Sequence, residues 1–147
     1  TAGHAYNTGD PAYYNNTLIG SCDFSIQGGS VDAAFISITN FSIVPNNGNL
    51  TGEEYNIWAG DNVTKLGETI AQSEGYITST NANVNADGIY YTDMGEATYL
   101  SAFGDSGGPV YLTDSKKVIG IHKGSTAFTS IFVKVDNIAS KLNAHFN

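Results

Sequence analysis

The chain has 147 residues, a formal net charge of −8 and six basic residues, all of them lysines. This charge balance excludes a nucleic-acid-binding surface, and no apolar run is long enough to span a bilayer. The single cysteine, Cys22, excludes an intrachain disulfide and is expected to be a small buried side chain. We therefore expect a monomeric globular protein of one domain or two small ones, with no nucleic-acid or membrane partner.

The composition predicts an all-β protein. Seventeen glycines, nine tyrosines and many threonines and valines favour short strands and tight turns. Residues 5–16 form a predicted loop, and residues 17–27 and 31–38 form predicted strands. Residues 39–52 are polar and rich in turn residues, so they are predicted to connect two halves of the molecule.

The remainder of the chain is predicted to add strands and one helix. The first of these strands carries Trp58, which we expect in the core because large aromatic side chains dominate protein interiors. Apolar residues recur at near-helical spacing around Asp136, which predicts a C-terminal helix with Asp136 as its N-cap. In chain order we predict a strand at 55–60, a polar turn at 81–87 and strands at 89–93, 110–112, 118–122 and 128–135.

The hexapeptide GDSGGP at residues 104–109 is the strongest functional signal in the sequence. Its glycines permit a tight turn that holds the hydroxyl of Ser106 outward. The backbone N–H groups of Gly104 and Ser106 can then point at one spot, which places an oxyanion hole beside a nucleophile, as acyl transfer requires. The alternative is an ordinary glycine-rich hairpin turn.

A nucleophilic serine needs a histidine base and a carboxylate that orients the base. His4 stands in the segment TAGH, and Asp32 stands at the start of the apolar segment VDAAFISI. The order His4, Asp32, Ser106 is one of several orders in which unrelated folds carry this triad. Asp32 has an alternative interpretation as a turn or capping aspartate.

The segments TAGH, VDAAFISI and GDSGGPV together resemble the three catalytic motifs of chymotrypsin-fold serine peptidases. The resemblance implies two six-stranded Greek-key β-barrels and a C-terminal helix. Residues 1–45 would be the remainder of the first barrel, and residues 46–147 the second barrel with the helix. In that family three strands precede the catalytic histidine, whereas three residues precede His4 here. We therefore expect a first barrel that is truncated at its N-terminal side.

The same resemblance implies a secreted serine endopeptidase that acts on peptides or proteins. His4, Asp32 and Ser106 would form the catalytic triad, and Gly104 and Ser106 would supply the oxyanion hole. Neither a cofactor nor a metal is expected. In the family the aspartate next to the nucleophile, here Asp105, pairs with a buried cation, but the sequence does not identify its partner.

Substrate choice is predicted from the residues at Ser101, His122 and Ser125, which resemble those of bacterial glutamyl endopeptidases. Their side chains can donate hydrogen bonds to a substrate carboxylate, which implies cleavage after glutamate or aspartate. A strand histidine satisfied by backbone groups is the alternative for His122. Lys123 follows it where the family has a small polar residue, and it would either add charge to the pocket or point to solvent.

Two other functions are compatible with the sequence. An uncharged pocket narrowed by Leu100 and Phe103 would give a peptidase with apolar preference. A non-catalytic binding module that kept the fold is the second alternative, favoured by the missing strands and disfavoured by the intact set of triad residues.

Overall fold

A computed structural model describes residues 1–42 and 49–146 of the chain. The predicted boundary between residues 45 and 46 lies outside the described residues. Within them a short 3₁₀ turn (Gly3–Ala5) precedes nine strands and one helix. The elements are β1 (Pro11–Tyr14), β2 (Thr17–Gly28), β3 (Val31–Ile38), β4 (Asn62–Leu66), β5 (Gln72–Ala86), β6 (Ile89–Ala97), β7 (Pro109–Leu112), β8 (Val118–Ser125), β9 (Ser130–Lys134) and α1 (Val135–Leu142).

Six strands close into a barrel in the order β4-β5-β6-β9-β8-β7, and every neighbouring pair is antiparallel. Closure leaves no free sheet edge and encloses a core. The interior side chains of this core are Val63, Ile77, Ala97, Tyr99, Val110, Ile119 and Phe132. The predicted all-β architecture, with a second barrel that carries the GDSGGP turn and a C-terminal helix, is confirmed.

The first part of the chain forms an open antiparallel sheet of three strands, in the order β1-β2-β3. Val31 and Ala33 of β3 are buried in a second core cluster together with barrel residues and with Ile138 of α1. This shared core holds the sheet against the barrel. A cleft between the two units follows from that packing, and the candidate site lies along it.

Several predicted element boundaries are wrong. Residues 55–60 are not a strand, and Trp58 is 71% exposed. The chain makes an isolated bridge from Glu53 to Val118, turns at Gly60 and continues as a barrel strand from Asn62. β1 lies inside the predicted loop 5–16. The predicted polar turn at 81–87 belongs mostly to β5, whose alternate residues Ala82, Val84 and Ala86 pack on the core. This period-two burial outweighs the polar composition.

The C-terminal helix begins two residues earlier than predicted, since its N-cap is Lys134 and not Asp136. Lys134 is the N-cap residue, with extended backbone angles (φ −69°, ψ 145°), and its side chain makes no capping hydrogen bond. Asp136 lies in the first turn, where a carboxylate interacts favourably with the positive end of the helix dipole. Val135 and Ile138 are the buried residues of α1 and hold it on the barrel.

Candidate active site

His4 and Asp32 form a direct hydrogen-bonded pair at the edge of the sheet. The His4 backbone N–H donates to Asp32 Oδ1 at 2.8 Å, and His4 Nδ1 lies 2.7 Å from Asp32 Oδ2. A Cβ atom on Gly3 would stand 2.3 Å from the Ile26 carbonyl oxygen, so only glycine lets the 3₁₀ turn approach the strands this closely. The Asp32 side chain is fully buried, whereas that of His4 is 37% exposed and faces a cleft.

Lys123 on β8 reaches Asp32 from the opposite side. Its Nζ lies 2.7 Å from Asp32 Oδ2 and 4.0 Å from the centre of the Tyr91 ring. Burial alone would raise the pKa of Asp32, but hydrogen bonds from Lys123 and His4 outweigh burial and lower it. Asp32 is therefore an anion at neutral pH. Lys123 does not point to solvent, in contrast to one of the two sequence-based expectations, and it lines the same cleft as Ser125.

Ser106 lies in the turn between residue 103 and β7, and this turn is held by Asp105. Asp105 Oδ2 accepts from Lys65 Nζ at 2.6 Å, and both side chains are fully buried. The backbone N–H groups of Thr69, Ile70 and Ala102 also donate to the Asp105 carboxylate. Although burial opposes ionisation, these donors hold the pKa of Asp105 well below its usual range.

Two backbone N–H groups of this turn are free to receive an oxyanion. The turn is pinned to β8 because Gly107 N–H donates to the His122 carbonyl at 2.8 Å and His122 N–H donates to the Gly108 carbonyl at 2.8 Å. Gly104 has φ 98°, a conformation that favours glycine. Within the described ranges, the N–H groups of Gly104 and Ser106 donate to no protein acceptor. The turn therefore has two unpaired donors, and their role as an oxyanion hole stays a prediction.

The hydroxyl of Ser106 does not contact His4 in this structure. Ser106 Oγ donates to the Lys123 carbonyl at 3.0 Å, and no hydrogen bond joins it to His4 among the described residues. Ser106 and Gly104 line one cleft of about 590 Å³, and His4 and Ser125 line another of about 490 Å³. Lys123 connects the two groups of residues, through its carbonyl to Ser106 and through its ammonium group to Asp32.

The predicted substrate-binding residues lie beside this turn, but they do not all face one cavity. His122 is 1% exposed, and its Nδ1 lies 3.0 Å from the hydroxyl of Tyr99. Ser101 Oγ lies 3.0 Å from Ser130 Oγ, which in turn donates to the Tyr99 carbonyl. Ser125 is exposed at the end of β8 and lines the cleft of His4. Burial, with a contribution from the charge of Lys65, lowers the pKa of His122 to about 4.

Sequence reasoning missed the roles of Lys65 and Lys123. The sequence holds six lysines and no arginine, so a buried cation beside Asp105 is a lysine, an amino terminus or a protonated histidine. Composition narrows the choice this far, but only strand pairing selects Lys65, because β4 runs antiparallel to β7 with Lys65 opposite Val110.

Among residues 1–42 and 49–146, no cluster of three or more metal-ligating side chains is found. In the same part of the chain no helix has the length and apolarity to cross a membrane.

Comparison with known proteins gives structural matches only. No protein-family model matches the chain, and no curated protein matches its sequence. Thermobifida fusca Protease A superposes with a TM-score of 0.81 at 26% identity, over 97% of this chain and 80% of its own. A glutamic acid specific serine protease, described as using a histidine triad in substrate binding, superposes with a TM-score of 0.84 at 23% identity. The match covers 100% of this chain and 84% of that protease. Cellulomonas bogoriensis chymotrypsin superposes with a TM-score of 0.80 at 24% identity, over 97% and 81%.

These solved neighbours are bacterial serine proteases of chymotrypsin fold. The predicted resemblance is therefore confirmed at the level of the fold. The low sequence identities show a shared fold and do not assign individual site residues. The assignments of His4, Asp32 and Ser106 therefore stay predictions that rest on the geometry described above.

Proposed function

We propose that this chain is a secreted serine endopeptidase in which Ser106 is the nucleophile, His4 the general base and Asp32 the residue that orients the base. The observation that carries the proposal is the 2.7 Å contact between His4 Nδ1 and the buried carboxylate of Asp32. This contact leaves Nε2 of the exposed ring for a serine hydroxyl. The fold shared with solved serine proteases supports the proposal and the location outside the cell.

The reaction begins when the Ser106 hydroxyl turns from the Lys123 carbonyl toward His4 Nε2. Catalytic hydrogen bonds are often absent or long in free enzymes and form when substrate binds. Ser106 Oγ attacks the peptide carbonyl while His4 takes its proton, and the N–H groups of Gly104 and Ser106 receive the oxyanion. His4 then gives the proton to the leaving amine as the C–N bond breaks, and water hydrolyses the acyl-enzyme by the same steps.

The triad is tested by hydrolysis of fluorogenic peptides that end in Glu, Gln, Lys or Phe. We expect Ser106→Ala to lower kcat by at least about 10⁴-fold. The matched control is Ser140→Ala on α1, whose hydroxyl donates to the Asn137 carbonyl and which should leave activity unchanged. Equal activity of Ser106→Ala and the parent chain would contradict the triad.

We further propose that the enzyme prefers an acidic residue before the scissile bond, with His122 as the donor to the substrate carboxylate. His122 Nε2 has no hydrogen-bond partner among the described residues. Every fully buried side-chain nitrogen or oxygen among those residues does have a partner, so Nε2 is not fully buried. Nε2 therefore reaches space that solvent or substrate can enter. Ser101 and Ser125 supply further hydroxyl donors close to this strand.

The contact between Tyr99 and His122 supports this role. Burial raises the pKa of Tyr99 well above its usual range, so its hydroxyl keeps its proton and can donate to His122 Nδ1. The low pKa of His122 keeps the ring neutral, and its single proton is then assigned to Nε2. A neutral donor at this position favours a carboxylate over a lysine side chain. The hydroxyl of Tyr99 thus holds the His122 ring in the orientation and tautomer that this role requires.

The acidic preference is tested by comparing kcat/KM for Glu with kcat/KM for the isosteric Gln and for Phe. His122→Leu should reduce the Glu-to-Phe ratio by about tenfold to a hundredfold, which is the range for losing a hydrogen bond to a charged group. Tyr99→Phe, which removes only the hydroxyl, should reduce the same ratio less. Cleavage after Phe alone would keep the triad and contradict the acidic pocket. No cleavage of any peptide in the panel would favour a non-catalytic module.

A further inference from the structure

Lys123 is a buried cation in contact with the carboxylate of the proposed triad. Its side chain is 8% exposed and extends from β8 across the junction between the barrel and the three-stranded sheet. The ammonium group lies 2.7 Å from Asp32 Oδ2 and over the face of the Tyr91 ring. A buried lysine needs such partners, because an unpaired ammonium group in the interior is costly. The position of this charge is therefore fixed by the fold.

Asp32 Oδ2 is shared by two nitrogen atoms. His4 Nδ1 and Lys123 Nζ each lie 2.7 Å from it. In a triad the carboxylate stabilises the positive imidazolium that forms when histidine takes the serine proton. Here the lysine already neutralises much of that carboxylate, and its own positive charge opposes a second positive charge nearby. Lys123 is therefore a second partner of the carboxylate that orients His4.

The other titratable groups around the pair do not replace this charge. Tyr91 on β6 is buried, which raises its pKa, so it is uncharged. His122 on β8 is neutral above its pKa of about 4. Asp87, in the turn after β5, lines the same cleft as His4 but is exposed and therefore screened by solvent. Lys123 is therefore the buried cation in contact with Asp32.

We propose that Lys123 is a positioning residue that sets the acid limit of the triad: it holds Asp32 ionised and in place in more acidic solution than a neutral side chain at this position would allow. This inference rests on the proposed function of His4, Asp32 and Ser106. Lys123 belongs to the barrel, and it acts through the Asp32 carboxylate of the three-stranded sheet.

The experiment measures kcat/KM against pH for the parent chain, Lys123→Met and Lys123→Ser, with the best substrate of the peptide panel. Removing the cation should move the acid-side midpoint upward by about one pH unit or more, because Asp32 then loses a hydrogen bond and a charge that lower its pKa. Lys141→Met removes the same charge from the exposed end of α1 and should leave the midpoint unchanged. Circular dichroism establishes that each variant is folded.

An unchanged midpoint in both Lys123 variants, with an active parent chain, overturns the inference and leaves the proposed protease function intact. An inactive parent chain overturns the function itself and the inference with it. If neither variant folds, the buried ion pair is tested in the parent chain by reductive methylation of its lysines, and mass spectrometry measures the rate at each lysine. Slow modification of Lys123 relative to Lys141 supports the buried ion pair, and equal rates overturn it.

Discussion

The closed barrel and the three-stranded sheet contribute to the site in different ways. The barrel has a core built from its six strands and from Tyr99, which follows β6, and it holds the Ser106 turn through the buried pair of Lys65 and Asp105. The sheet carries His4 and Asp32, but its buried residues in the shared core cluster are Val31 and Ala33, with Ile26 partly buried against them. Large side chains of its strands remain exposed, including Phe24 at 61% and Phe35 at 43%.

This difference indicates that the barrel is stabilised by its own core, whereas the sheet depends on its contacts with the barrel for its position. Each of the two site aspartates is held by a lysine that comes from the barrel, Lys65 on β4 and Lys123 on β8. Side chains of successive strand residues point to opposite faces, so β8 can direct His122 into the barrel and Lys123 toward the sheet. One barrel strand therefore links both halves of the site.

The largest test breaks the ion pair inside the barrel. Lys65→Met leaves the fully buried carboxylate of Asp105 without its cation, which should lower the free energy of unfolding by about 3–5 kcal/mol. Activity should fall as well, because Asp105 holds the turn that carries Ser106. Urea denaturation measures the first effect. Lys117→Met is the matched control, since Lys117 forms a half-exposed pair with Glu54 and should change stability far less. Similar losses in the two variants would contradict the structural importance of the buried pair.

The second test uses the buried histidine of the barrel. The folded chain keeps His122 neutral down to a pH of about 4, whereas in the unfolded chain it takes a proton near its usual pKa of about 6.5. The unfolded state therefore binds more protons between these values, and the free energy of unfolding falls as pH is lowered through this window. The decrease due to His122 is up to about 3 kcal/mol. The unfolding free energies of the parent chain and His122→Leu, measured from pH 7 to pH 4, should therefore differ by an amount that changes with pH. Parallel curves would show that His122 titrates alike in both states.

The smallest test compares one methyl group in each region. Ile119 is completely buried in the barrel core, whereas Ile36 of β3 is half-buried. Ile119→Val should cost about 0.5–1.5 kcal/mol of unfolding free energy, which is typical of this truncation in a packed core. Ile36→Val should cost less than half of that amount. A larger loss at Ile36 would mean that the sheet is as tightly packed as the barrel.

The sequence by itself determined the motif residues and the fold class. GDSGGP requires a tight turn because of its glycines, and the helical spacing of Val135, Ile138 and Leu142 predicts the C-terminal helix. These signals are local, since they depend on backbone freedom and on residue spacing along the chain. The sequence failed where local composition opposed the fold, as at Trp58 and at the strand residues 81–86.

Only the tertiary structure decided which charges meet. Lys65 lies 40 positions from Asp105, and Lys123 lies 91 positions from Asp32. No periodicity in the sequence connects residues this far apart. Strand register inside the barrel and the packing of β3 on it bring them within hydrogen-bonding distance. Burial then makes each pair costly to break. The low dielectric of the interior strengthens the attraction between the two charges, and a buried charge that loses its partner is not solvated by water.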